Sequence, residues 1–244
     1  MKIIKVIDKK KIEVCLSPAL YKNYENKEAI AVVTDVLRAS SAIVAAFMNG
    51  AKKIIPVATL EEAKAMKDSG YMVAAERDGI VRDFADFGNS PFNFTPERVK
   101  DNDIVYSTTN GTQAIQLASS SKQVLVGAFL NLGGIIDHLK KENTEVLILC
   151  AGWKNKINLE DTLFAGAVVD ALLKTDQFYT ICDSAYAAQD LWLLAKDNLV
   201  EYIQKAAQRT RLKKNNLDDV IEYCHTLNQT SIIPILRKNH LVKL

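Results

Sequence analysis

Three times along this chain an apolar, largely β-branched run breaks off into small polar residues and resumes as a helical pattern, over residues 31–57, 104–127 and 146–173. The first two return to a strand-like run within similar lengths. Strands that alternate with helices in this way build a layered α/β sheet. The clearest instance is residues 104–112, I-V-Y-S-T-T-N-G-T. Ile104, Val105 and Tyr106 read as a buried strand, and Ser107, Thr108, Thr109 and Asn110 as a loop of donors without bulk. Gly111 then turns the chain into a helix over 112–118. Such a helix start aims unpaired N–H groups and partial positive charge at its loop, a ready-made anion site. An ordinary capped helix start uses the same residue types.

The same logic places Asp35 and Arg38, residues 107–112 and residues 150–152 at C-terminal strand ends. In open α/β sheets that edge is where ligands bind. Glu76 and Arg77 follow the short strand 72–75 and join them. Asn158 reads as the cap of a long helix with Glu160 and Asp161 in its first turn. Thr59 with Glu62 forms a capping box, and Asn131 caps a helix running to residue 140. Residues 78–96 are irregular and rich in phenylalanine, as functional loops often are. Alternating runs predict a hairpin at 2–7 and 12–16 and another at 231–236 and 241–243. No shift in composition marks a linker, so residues 1–244 are expected to form one domain.

Composition excludes several classes. With 48% hydrophobic and 25% charged residues the chain reads as a soluble globular protein. The formal net charge is only +2, with short basic runs at 9–11 and 209–214, so no nucleic-acid stripe is present. No run is apolar enough to span a membrane and the N-terminus lacks a signal peptide, which predicts a cytoplasmic protein. Cys15, Cys150, Cys182 and Cys224 are far apart and none has a histidine at ligand spacing, so neither zinc nor a disulfide framework is expected.

The chemistry-bearing residues are therefore acids, arginines and small donors. Asp35, Glu76, Glu160 and Asp161 offer hard oxygen ligands suited to Mg²⁺, and Arg38 and Arg77 offer fixed positive charge. A magnesium ion, an arginine and an N–H-rich loop together suit phosphoryl transfer. Each residue also has a plain structural use: acids in a first helical turn favour the macrodipole, and Arg38 could pair with Asp35 or Glu76.

The motifs D-V-L-R-A-S (35–40), A-E-R (75–77), F-G-N-S-P (87–91), T-T-N-G-T (108–112), G-A-F-L-N (127–131), C-A-G (150–152) and L-E-D-T-L-F-A-G (159–166), in this order, resemble the 2-phosphosulfolactate phosphatase family. The resemblance spans nearly the whole chain. It implies a three-layer α/β/α fold with a mixed, largely parallel sheet, and Mg²⁺-dependent hydrolysis of (R)-2-phospho-3-sulfolactate to 3-sulfolactate and phosphate, a step of coenzyme M biosynthesis in some archaea, by a homo-oligomer acting on a small anionic phosphoester. Carried over by position, Asp35, Glu76, Glu160 and Asp161 become metal or acid–base candidates. Arg38, Arg77, Asn89, Ser90, Thr108, Thr109, Asn110, Gly111 and Thr112 become candidate binders of the substrate's anionic groups. Two nucleophiles are open: a water oriented by Asp35 or Glu160, which is favoured, with Cys150 lining the pocket, or Cys150 itself. The chain departs from the family pattern at Ser40 and Ser41, at residues 84–87, at Gln208 where a histidine is usual, and at Asn228 where an aspartate is usual. These last two leave open a binder of anionic metabolites that has lost turnover.

Overall fold

Residues 30–34, I-A-V-V-T, show how the layers arise. Successive strand side chains point to opposite faces. Ile30 and Val32 enter one core, with Leu163, Phe164 and Trp192, while Ala31 and Val33 enter another, with Ala42, Phe47 and Ile115. A strand buried on both faces reads as a continuous apolar run, and each fully buried branched side chain contributes about 1.5–3 kcal/mol by leaving water.

The computed structural model describes residues 9–214 and 217–244. Its strands are β1 (Lys10–Cys15), β2 (Ile30–Thr34), β3 (Lys53–Pro56), β4 (Met72–Arg77), β5 (Ile80–Val81), β6 (Asp103–Ser107), β7 (Gln123–Gly127), β8 (Val146–Cys150), β9 (Phe178–Tyr179), β10 (Pro234–Arg237) and β11 (His240–Lys243). Among the described residues they form one sheet in the order β5-β4-β6-β3-β11-β10-β7-β2-β8-β1-β9. The α-helices are α1 (Ala39–Met48), α2 (Leu60–Asp68), α3 (Pro96–Val99), α4 (Gly111–Leu117), α5 (Leu132–Glu142), α6 (Leu159–Leu173), α7 (Asp183–Ala195), α8 (Leu199–Tyr202), α9 (Ala207–Lys214) and α10 (Ile221–Cys224). This is the expected three-layer, mostly parallel α/β arrangement. No helix among the described residues is long and apolar enough to cross a membrane.

Local signals hold well. The Thr59–Glu62 capping box is complete, and Asn158 caps α6 by accepting the Asp161 N–H at 3.1 Å. Asn131 stands at the N-cap position of α5, as expected, but its side chain makes no cap hydrogen bond to that helix. Its amide instead accepts from Ala128 N and donates to the carbonyls of Val126 and Ile232, stitching β7 to the C-terminal segment. Residues 12–16 are not half of a hairpin: β1 pairs in parallel with β8 and with β9. The other half of that expected hairpin, 2–7, lies outside the described residues. Within residues 78–96 the chain forms β5, antiparallel to the end of β4.

The C-terminal hairpin is present, and its position changes the architecture. Strands β10 and β11 are inserted in the sheet, antiparallel to each other, to β7 and to β3. The parallel group β4-β6-β3 therefore runs opposite to the parallel group β7-β2-β8-β1-β9. The strand ends 35, 76, 107 and 150 do not lie along one flat edge. They meet in space all the same: a Cβ on Gly111, after β6, would stand 2.9 Å from Asp35 Oδ2, after β2. The right-handed twist of about 20–25° per strand, summed over the intervening neighbours, lets the two groups converge.

Candidate active site

Helix α6 is buried along almost its whole length because α7 covers its outer face. A Cβ on Gly166 would stand 2.0 Å from the Ala188 carbonyl oxygen, so only glycine permits this approach. The packing drives the α6 N-terminus, with Glu160 and Asp161, into the interior, where both are 0% exposed. Asp161 accepts Val36 N–H at 2.8 Å and Gly152 N–H at 3.0 Å, tying the loop after β2 to the loop after β8. Burial pushes its pKa up to about 7 against the pull of those donors. Glu160 has no such support. Both of its carboxylate oxygens are buried without a hydrogen-bond partner, and burial, then the Asp161 charge, push it up to about 8.

The N–H-rich loop after β6 does hold an anion, and it is one of the protein's own. Glu76 Oε1 accepts Thr109 N–H at 2.8 Å, the Thr109 hydroxyl donates to the same carboxylate, and Oε2 accepts Gly79 N–H at 2.6 Å. Thr108 and Thr112 spend their donors on one another. The Asn110 side chain accepts Lys154 N–H at 3.1 Å.

Asp35 is fastened by its backbone alone: its N–H donates to Ser40 Oγ and its carbonyl accepts Ser40 N–H, each at 2.8 Å. The carboxylate faces a cavity of about 330 Å³ lined also by Glu76, Thr109, Asn110, Trp153 and Arg211. Burial, then Asp161, Glu76 and Glu160, raise its pKa well above the carboxylate range, with Arg38 opposing. Arg38 is 5% exposed and donates from Nη2 to the carbonyl of Gly79 at 3.3 Å. None of the ion pairs among the described residues involves an arginine, so Arg38 pairs with neither Asp35 nor Glu76.

The remaining candidates are distributed unevenly. Arg77 lies beside the site with its guanidinium bonded to Glu76 O, Ala58 O and Ser107 Oγ. Asn89 is buried with an unpartnered Oδ1, and Ser90 precedes the turn 91–93; neither lines the cavity. Cys150 is fully buried and does not line the cavity, and burial together with Asp161 raises its thiol pKa well above the usual value. Gln208 lines the cavity, whereas Asn228 sits elsewhere, accepting Gly133 N–H at 2.7 Å in a left-handed turn. Trp153, Lys154 and Arg211 also line the cavity, and only the order G-W-K-N-K after a strand end hints at the first two.

The oxygen-rich donor set fits a hard divalent cation in kind, and the unpartnered oxygens of Glu160 fit it in particular. Among the described residues, however, no group of three or more His, Cys, Asp or Glu is arranged to hold a metal. Glu76 and Asp161 are committed to backbone N–H groups. Asp35 and Glu160 are the carboxylates left to serve, Asp35 lining this cavity and Glu160 an adjoining one that shares Trp153, Gln208 and Arg211 with it, and one or two carboxylates suit an ion that keeps waters and shares substrate oxygens.

A family model described as 2-phosphosulpholactate phosphatase matches residues 15–239. A probable 2-phosphosulfolactate phosphatase of Caldanaerobacter subterraneus subsp. tengcongensis is 34% identical over 221 residues, covering 89% of this chain and 91% of the relative. Probable 2-phosphosulfolactate phosphatases of Thermotoga maritima and Clostridium novyi are 36% and 34% identical, covering 84% and 92% of this chain and 88% and 96% of theirs.

Proposed function

The chain belongs to the 2-phosphosulfolactate phosphatase family, and on that premise we propose that it is a Mg²⁺-dependent phosphatase converting (R)-2-phospho-3-sulfolactate to 3-sulfolactate and phosphate. The observation that carries this is Arg38. Its guanidinium is 5% exposed, has no carboxylate ion-pair partner among the described residues and donates to the carbonyl of Gly79, which lines the cavity, so it is suited to an incoming anion. Phosphate is the natural occupant, since its oxygens match the planar fork of donors.

The chain's own residues then divide the work. Arg38 binds and orients the phosphoryl group. Asp35 faces the cavity and, ionised when a bound cation offsets the neighbouring carboxylates, orients the attacking water; the water's proton passes to Asp35 as the new P–O bond forms, and a proton is returned to the sulfolactate oxygen as its P–O bond breaks, so that sulfolactate leaves as the alcohol. Glu76 holds the 107–112 loop and the 78–79 turn in place, and Asp161 does the same for the loops at 36 and 152. Asp35 and Glu160 would hold Mg²⁺, which supplies neutralisation of phosphoryl charge when bound. The burial of Cys150 and its raised thiol pKa support water rather than Cys150 as the nucleophile in this reading.

A second reading, a binder of anionic metabolites without turnover, is favoured by Gln208, which stands in the cavity where the family pattern has histidine. Phosphate release from racemic 2-phospho-3-sulfolactate, with Mg²⁺ and with EDTA, beside phospholactate and p-nitrophenyl phosphate, separates the two. Mg²⁺-dependent turnover preferring the sulfonated ester is the expected result. Tight sulfolactate binding without any release would support the binder instead.

A further inference from the structure

Gln208 and Arg211 lie one turn apart on α9, where two cavities meet. Both line the cavity described above and a second, more apolar one of about 490 Å³ bounded by Leu16, Ile157, Leu191 and Ala206. Gln208 is buried and uses both ends of its amide. Its Nε2 donates to the Leu37 carbonyl at 3.2 Å, within the loop that carries Asp35 and Arg38. Its Oε1 accepts from Arg211 Nε at 2.8 Å and also from Arg211 Nη2. The guanidinium lies over Trp153, with Cζ 4.2 Å from the ring centroid.

Arg211 is thereby fixed by a neutral acceptor and an aromatic face, and no carboxylate among the described residues stands within ion-pair distance. Glu160 acts on it only at longer range. A glutamate at 208 could hold the guanidinium equally well but would cancel its charge. An amide holds it and leaves the charge, with the unspent N–H groups, to a ligand.

We propose that Gln208 is a positioning residue that fixes Arg211 as the binder of the substrate's second anionic group, the carboxylate or sulfonate that is not hydrolysed, a step that rests on the phosphatase reading. The division follows from position: Arg211 lines the cavity itself, whereas Arg38, from another element, is bonded to Gly79 of its wall, so two separate guanidinium groups are at hand for two oxyanions.

Steady-state kinetics of wild type, Gln208→Met, Arg211→Met and the double variant on 2-phospho-3-sulfolactate and p-nitrophenyl phosphate test it. Gln208→Met should raise KM for the sulfonated ester about tenfold, with a smaller change in kcat, the scale of one misplaced charge-assisted hydrogen bond. The preference for that ester over p-nitrophenyl phosphate should fall accordingly. Because Gln208 acts through Arg211, adding Gln208→Met to Arg211→Met should change the preference no further. Equal losses on both substrates, or additivity in the double variant, overturn the proposal. With phospholactate, a vanished effect places the sulfonate on Arg211 and a retained one places the carboxylate there; either supports it. If wild type releases no phosphate from any ester, the phosphatase reading fails separately. Calorimetric titration with sulfolactate then decides: an affinity drop of about tenfold in Gln208→Met supports the positioning role, and equal affinity overturns it.

Discussion

Gly111 and Asp35 are pressed together across the two halves of the sheet: a Cβ on Gly111 would lie 2.9 Å from Asp35 Oδ2 and 2.8 Å from the Ala39 Cβ. The glycine is needed here for space, because the α4 N-terminus closes onto the carboxylate that faces the cavity. Gly111→Ala should therefore displace Asp35 and lower kcat, at a stability cost of about 1–3 kcal/mol. Wild-type kcat with an unchanged melting temperature would show that the contact is dispensable.

Glu76 organises the loop that would otherwise be free for a ligand. Gln at this position supplies one acceptor where the backbone amides of Thr109 and Gly79 require two. Losing a charge-assisted bond in a buried setting costs about 1.5–3 kcal/mol. Glu76→Gln should lower the melting temperature by several degrees in a thermal scan. If activity falls while the melting temperature holds, Glu76 acts on substrate rather than on the loop.

Stability should depend on pH in a way that a divalent cation reverses. Glu160, raised from 4.5 to about 8, and Asp161, raised from 3.8 to about 7, favour the protonated fold. Their contribution is complete below the unfolded values and is lost as pH rises toward the folded ones. His225, lowered by burial from 6.5 to about 4, works the other way, losing stability as pH falls through that window and adding nothing variable above 6.5. Between pH 6.5 and 8 the acids therefore act alone. The melting temperature without metal should fall across that range, and Mg²⁺ should raise it more at pH 8 than at 6.5. A Mg²⁺ effect independent of pH would count against these carboxylates as its site.

Glu160 trades stability for chemistry in this scheme. Its two orphaned oxygens are a cost that the fold alone does not explain. Glu160→Met, of similar length and apolar, should stabilise the protein by about 1–3 kcal/mol while abolishing Mg²⁺-dependent turnover. A destabilised variant with intact turnover would assign Glu160 to the scaffold.

Cys150→Ala should retain phosphatase activity to within a few fold, because the thiol is sealed from the cavity. Loss of activity in a variant whose thermal unfolding matches wild type would reinstate a cysteine nucleophile.

Much of this molecule was legible from its local chemistry. Strand-to-helix alternation announced the α/β layers, because an apolar run that ends in small polar residues before a helix has few other folds open to it. The Thr59–Glu62 box and the Asn158 cap were readable because capping depends on residues within one turn. The acids and arginines of the site could be nominated by type and by position after a strand. What could not be read is anything set by contacts distant in sequence. The insertion of β10 and β11, which reverses one half of the sheet against the other, depends on pairing across more than a hundred residues. Occupation of the 107–112 loop by Glu76 is decided by which carboxylate reaches the amides first, and only the register of β4 beside β6 settles that. Arg77 and Arg38 are alike in sequence, each following an acid near a strand end. Among the described residues, tertiary packing gives the Arg77 guanidinium three neutral acceptors and the Arg38 guanidinium one, the Gly79 carbonyl, and that difference in surroundings, invisible in one dimension, separates a structural arginine from one with donors left for a ligand.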